Sequence, residues 1–407
     1  MSSSTSSFSA AASPATRGPY AKTLLAIVLA MGASLATVRV VTILFDASAE
    51  TILDRVMEAR AALPDIVRED KPVVMSFGSS MTHAGFGARQ FDREMSERGI
   101  DVKSFNFGFG GLNPYFQDYL SRRIRDVFVE NDRRLELTLI EFTPLQNTTA
   151  RWEGARPAVD SFVSMLADGS DVWEIVKREP TRGIRLANIK YLRNDISAEM
   201  TTWFFGDEWF DLPRPDAGVP ADEEADKVLE EIGEQLTAKF EEEYPDYVDS
   251  NWSWEWQGAG TIREERSQET LDLFVPYYDA LRSEQRLADD RLRRITCCDI
   301  EELHFEETLI AAFIRTVKNF QQISDRVEVI LLPRNHDWIQ RPPEAVERLR
   351  VALERIERET GATVRSFEDA PEITPQMYSD TTHLARYSGD VRYTSLLVET
   401  YAPILQD

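Results

Sequence analysis

The chain predicts an α/β fold with a central parallel sheet of about five strands and helices on both faces. Three observations lead there. Short apolar runs recur at residues 72–77 (PVVMSF), 102–107 (VKSFNF), 137–142 (LTLIEF), 327–332 (VEVILL) and 362–367 (ATVRSF). Stretches with apolar residues at helical spacing alternate with them, at 88–98, 115–131, 306–323 and 343–359. The last stretch has Pro342-Pro343 before it and Gly361 after it, a helix start and a helix stop. Parallel neighbours need crossover connections, and helices between strands supply them. Ligands of such sheets bind beyond the carboxyl ends of the strands, so the loops after each strand are where chemistry is expected.

Ahead of the first strand the chain is of a different kind. Residues 1–22 are rich in Ser, Ala, Thr and Pro and read as a disordered cytoplasmic tail. Residues 23–45 (TLLAIVLAMGASLATVRVVTILF) are apolar apart from Arg39 and small hydroxyl side chains. As a helix they would extend about 34 Å, enough to cross a bilayer. Arg17 and Lys22 precede the run, and Asp46, Glu50 and Asp54 follow it, which puts the N-terminus inside and the rest on the periplasmic side of an inner membrane. Cleavage of a signal peptide after Ala36 is the alternative; the apolar run continues past that point, which favours a single-pass anchor. Residues 46–70 carry Ile52, Val56, Ala59, Leu63 and Ile66 at helical spacing, as a stalk or packing helix. The domain proper is then 71–407.

Within that domain the alternation breaks at about 145–300, which reads as an insertion over the sheet's carboxyl edge. Gly206 to Ser250 holds 16 Asp and Glu against three Lys and Arg, with helical character expected over 221–243. The spacing of Trp252, Trp254 and Trp256 would align three indoles on one side of a strand, a stacking surface for sugar rings; ordinary core packing is the alternative. The whole chain has 70 Asp and Glu against 46 Lys and Arg, a formal charge of −24. A surface of that sign repels phosphate backbones, which excludes a nucleic-acid partner. Cys297 and Cys298 are adjacent, a spacing that disfavours a disulfide. No metal-ligand spacing and no cofactor motif occurs.

Chemistry gathers at three strand-end or loop positions. Gly78-Ser79-Ser80 follows the first strand, and a serine in such a turn offers both a hydroxyl and a backbone N–H to a reacting carbonyl. Asn106-Phe107-Gly108-Phe109-Gly110-Gly111 closes the second strand. Asp380-Thr381-Thr382-His383 stands near the C-terminus, where one loop delivers a base and a carboxylate to orient it. The remaining histidines compete less well: His336 is the rival base, His83 reads as pocket lining together with His336, and His304 as structural.

These three blocks, in this order, resemble the SGNH (GDSL-like) hydrolase family over residues 72–147 and 327–397. The resemblance implies a three-layer α/β/α, flavodoxin-like fold and acyl-serine chemistry. It makes Ser80 the nucleophile, Asp380 the orienting carboxylate and His383 the base. It gives the oxyanion to the amides of Ser80 and Gly111, with Gly110 as rival. Two departures stand out: Ser79 occupies the place of the family's Asp, and the third block reads Glu141-Phe142-Thr143-Pro144, without the family's Asn. Asn147 is the nearest asparagine and is taken as the third oxyanion donor. The function expected is a serine esterase or O-acyltransferase acting on acyl groups, acetyl above all, of an envelope or exported polysaccharide or a small acyl ester. With the anchor, the resemblance also implies a membrane-bound O-acyltransferase as partner. The competing expectation is a scaffold or glycan-binding protein that keeps the fold without catalysis.

Overall fold

The central strands β1, β3 and β4 form because they carry apolar residues on both sides of the pleat, as strands covered on two faces must. The computed structural model describes residues 20, 22–30, 32–34, 54–167, 169–188, 222–245 and 262–406. Helix α1 (Asp54–Ile66) leads into β1 (Val73–Gly78), a one-and-a-half-turn helix α2 (Ser80–Gly85) and α3 (Ala88–Glu97). Then come β2 (Lys103–Gly108), α4 (Pro114–Glu130) and β3 (Leu135–Glu141). Helices α5 (Thr149–Ala155), α6 (Val159–Leu166), α7 (Gly169–Arg178), α8 (Pro180–Asn188), α9 (Glu223–Glu243), α10 (Gln268–Leu281) and α11 (Glu284–Cys298) follow. The chain returns through α12 (Glu307–Gln321), β4 (Ser324–Leu331), α13 (Pro343–Thr360), β5 (Thr363–Ser366) and α14 (Gly389–Leu405).

The five strands make one sheet in the order β2-β1-β3-β4-β5, and every pairing is parallel. The two-residue period of β1 splits its side chains between two cores. Val73, Met75 and Phe77 enter one core with residues of α1, α4, α12 and α13; Val74 enters the other with residues of α3 and α14. Sheet and two helical layers follow from that division. Phe116 and Phe128 of α4 and Phe313 and Phe320 of α12 are buried in the first core, each such ring contributing roughly 1.5–3 kcal/mol.

The expected insertion has a definite neck. Thr148 and Phe305 form an antiparallel bridge, and Glu306 N donates to Asn147 O at 2.8 Å, so the chain leaves and re-enters the sheet side by side. Helices α6, α7 and α8 supply Val163, Leu166, Val172 and Leu186 to the first core, and Asp171 of α7 takes both Arg122 and Arg123 of α4. The acidic helix expected at 221–243 is α9. Trp252, Trp254 and Trp256, the expected stacking surface, lie outside the described residues.

The expected anchor is not supported. Among the described residues no helix is long and apolar enough to cross a membrane. Residues 22–30 and 32–34 are helical and exposed, and residues 35–45 of the expected span lie outside the described ones.

Register then sets the site. Gly78 pairs with Gly108, and Phe77 pairs with both Phe107 and Ile140, which puts the carboxyl ends of β1, β2 and β3 level. Helix α2 crosses directly over the end of β2. A Cβ at Gly108 would stand 2.7 Å from His83 Cα and 2.8 Å from Ser79 O, both backbone atoms that cannot swing aside. Gly108→Ala is therefore expected to lose about 1–3 kcal/mol in urea unfolding. Gly154→Ala is the control: nothing lies within 4 Å of its would-be Cβ in α5, so helix propensity alone should leave it neutral or slightly stabilised. Equal losses in the two variants would place the constraint elsewhere.

A second expectation concerns pH. Asp390, in the first turn of α14, is buried; its Oδ1 accepts from Val391 N at 2.7 Å and its Oδ2 has no partner among the described residues. Burial pushes the carboxyl up to about 7, against the pull of Arg386 and nearby amides. The folded state then holds the proton more tightly than the unfolded one, so stability present below about pH 4 is lost as pH rises to about 7. Asp390→Asn should gain on wild type between pH 5 and pH 8 in parallel denaturation series. A constant difference would mean that Asp390 is ionised throughout.

Candidate active site

Ser79 is the N-cap of α2: extended at φ −96°, its Oγ accepts from Met81 N at 3.1 Å. That cap starts the helix at Ser80, whose amide falls in the first turn and so makes no intrahelical bond. The cap is held from beneath by Glu141, the last residue of β3. Its Oε2 accepts from Ser79 N at 3.0 Å, from Thr82 N at 2.9 Å and from Thr82 Oγ1. Its Oε1 accepts from Ser79 Oγ at 2.6 Å and from Thr143 Oγ1. Glu141 is buried, and no ion pair to it occurs among the described residues. Gly78 makes room for it, since a Cβ there would lie 2.6 Å from Glu141 Cβ.

The C-terminal loop reaches the serine from the other side. His383 Nε2 lies 2.8 Å from Ser80 Oγ, and His383 Nδ1 lies 2.6 Å from Asp380 Oδ2. The carboxylate fixes the proton on Nδ1, leaving Nε2 to accept from the serine hydroxyl. Asp380 Oδ1 accepts from Thr382 N at 2.6 Å, His383 N at 2.8 Å and Thr382 Oγ1 at 3.1 Å. Its Oδ2 also meets Arg294 Nη2 at 3.3 Å. Burial works against the charge on Asp380, but His383, Arg294 and the backbone bonds outweigh it and hold the carboxyl well below the usual carboxylate range. Ser80, Asp380 and His383 are thus brought together as the sequence expected.

Arg294 and its neighbour were not legible. Arg294 Nε donates to Asp290 Oδ2 at 2.8 Å, and Asp290 Oδ2 in turn accepts from Thr381 N at 3.3 Å and from Thr381 Oγ1. Both residues come from α11, so the insertion supports the loop that carries the base.

On the oxyanion side, the nearest atom to a Cβ placed on Gly110 is Ser80 Cβ, at 3.8 Å. Gly111 follows at φ +71°, and its carbonyl accepts from Arg151 Nη2 at 2.7 Å. The Gly110-Gly111 segment therefore flanks Ser80. Asn147 is corrected: it is fully buried, and its Nδ2 donates to Thr143 O at 2.9 Å within its own 3₁₀ turn (Pro144–Asn147), a bond that closes the turn. His336 does not meet Ser80. Its ring is exposed in the loop after β4, with Nε2 2.9 Å from Glu368 O and 3.0 Å from Asp369 Oδ1. His83 is half-buried on α2, its backbone N donating to Ser79 O at 3.1 Å. His304 pairs with Asp299 at 2.8 Å at the surface. The Cys297 and Cys298 sulfurs lie within disulfide distance of each other at the end of α11, where the sequence reading expects no disulfide.

Compared with known proteins, the chain matches no family model and no curated protein.

The Glu141 cluster yields a mutational expectation. Glu141→Ala leaves the buried Ser79 and Thr82 amides without acceptors, at a cost of about 1–3 kcal/mol for each orphaned group. Glu141→Gln keeps one acceptor oxygen and should lose less in urea denaturation. Phosphonate labelling of Ser80 should slow in the same order. A Glu141→Ala protein with wild-type stability and labelling would show that the turn holds without its carboxylate.

Proposed function

We propose that the chain is a serine esterase or O-acyltransferase with Ser80 as nucleophile. The observation that carries this reading is the continuous relay Asp380–His383–Ser80, at 2.6 and 2.8 Å. Ser80 Oγ attacks an ester carbonyl while His383 Nε2 takes its proton. The tetrahedral oxyanion faces the Ser80 amide and the Gly110-Gly111 segment. Collapse expels the alcohol, which receives the proton from His383 and leaves an acyl-Ser80 ester. Water or a sugar hydroxyl, activated by the same imidazole, then releases the acyl group. Asp380 keeps the imidazole in the productive tautomer and stabilises its cation.

The finer assignment rests on the three sequence blocks and on the strand order. A five-stranded parallel sheet in the order 2-1-3-4-5 is the flavodoxin-like arrangement, and a nucleophile after β1 with its base near the C-terminus is the SGNH pattern. An acetylated envelope polysaccharide, a membrane-bound O-acyltransferase as partner and a place outside the inner membrane belong to this proposal on the sequence of residues 17–54 and the family resemblance.

The test is fluorophosphonate labelling and hydrolysis of a small acetyl ester. Ser80→Ala should abolish both, and His383→Ala should lower kcat by several powers of ten, as loss of a triad base does. His336→Ala should leave kcat near wild type. An unlabelled wild-type protein, or loss of kcat in His336→Ala with His383→Ala still active, would overturn the assignment.

A further inference from the structure

The third strand's loop lacks the asparagine expected to complete the oxyanion hole, and Asn147 is engaged elsewhere. The residue before it is placed differently. Gln146 is almost wholly buried, and its Oε1 accepts from Arg151 Nε at 2.8 Å. A guanidinium can only donate, so this bond fixes the orientation of the amide: oxygen toward Arg151, nitrogen away. Gln146 Nε2 has no acceptor among the described residues, nor is it one of the buried polar atoms left without a partner, so it opens to solvent.

The same guanidinium edge ties Gln146 to the nucleophile's surroundings. Arg151 Nη2 holds Gly111 O at 2.7 Å, and Gly110 lies against Ser80. Gln146 and the Gly110-Gly111 segment are thus two prongs on one fork. No carboxylate pairs with Arg151 among the described residues, and its charge is disfavoured by burial and by Arg294. Positive charge is therefore kept behind two neutral acceptors, one of them in the segment that lies against Ser80. A guanidinium on the amide oxygen polarises the amide and strengthens its N–H groups as donors.

We infer that Gln146, oriented by Arg151, is the third oxyanion donor of the acyl-transfer reaction, its Nε2–H meeting the oxyanion alongside the amides at Ser80 and the Gly110-Gly111 segment. This rests on the serine esterase or acyltransferase reading above. It assigns the missing donor to a glutamine whose direction is set by an arginine, and it makes Arg151 a positioning residue.

The test uses the full chain, p-nitrophenyl acetate and a fluorophosphonate. Gln146→Ala should lower kcat by about 10²–10³-fold, the loss seen when one oxyanion donor is removed, with KM within a few-fold of wild type. Gln146→Glu retains an acceptor for Arg151 and so keeps the fork, but it offers no donor and should lose at least as much kcat at unchanged melting temperature. Arg151→Lys should lower kcat part of the way. Asn147→Ala should lower the melting temperature while kcat per folded molecule stays near wild type. A Gln146→Glu enzyme with wild-type kcat, or an Asn147→Ala enzyme that carries the kcat loss, overturns the inference while wild-type labelling at Ser80 leaves the esterase reading standing. Absence of labelling in wild type sinks both.

Discussion

A carboxylate buried without a cation is tolerable only if hydrogen-bond donors surround it, and Glu141 meets that condition at the centre of this fold. All its donors come from Ser79, Thr82 and Thr143, that is, from the turn after β1 and the residues just past β3. The bonds therefore couple two adjacent strand ends and the first turn of α2 into one unit. They also decide which amide remains. With the Ser79 and Thr82 N–H groups turned down onto Glu141 and Met81 N held by Ser79 Oγ, the Ser80 N–H is the one of that turn not so engaged. Gly78 and Gly108 complete the arrangement by leaving space where α2 packs onto the strand ends. Charge, register and glycine placement act on the same few ångströms.

The strands and flanking helices were legible because their signals are local. Alternating apolar runs and helical spacing located all five strands and the helices α3, α4, α12 and α13 to within a few residues. The triad was legible through the resemblance, since Ser80, Asp380 and His383 lie in short blocks. Glu141 was visible only as the absence of an asparagine. Its role depends on the β1–β3 pairing, which spans some sixty residues of sequence and leaves no trace in periodicity. Arg294 and Arg151 were missed for the same reason: in an Arg-rich chain an arginine in a helix reads as a solvated face until its partner is known. The helices of the insertion other than α9 were not located one by one, because no strands alternate with them to mark where each begins and ends.

Asn147 shows how proximity in sequence misleads. It lies only a few residues beyond the third block, yet the 3₁₀ turn points it inward, where its amide closes the turn on Thr143 O. Gln146, one position earlier, is turned to Arg151 instead. In a helix of three residues per turn, neighbours differ by about 120° in direction, so a shift of one position sends one amide to Thr143 O and the other to Arg151.

The insertion bears on the candidate site by a route that its composition conceals. The loop from Thr374 to Ser388 carries the base but forms no strand of the sheet, so its carbonyls need donors from outside. Arg282, which caps the C-terminus of α10, holds Gln376 O at 2.6 Å and Tyr378 O at 3.2 Å, and Arg263 holds Tyr387 O at 2.6 Å. Tyr278 Oη of α10 accepts from Arg386 N at 2.9 Å. Asp290 and Arg294 then fasten Thr381 and Asp380. Most of these bonds run between a side chain of the insertion and the backbone of the loop, which fixes the path of the loop's main chain directly. Cutting the insertion away would free those carbonyls and remove the guanidinium from Asp380, so the helices between β3 and β4 are part of what holds His383 at hydrogen-bonding distance from Ser80.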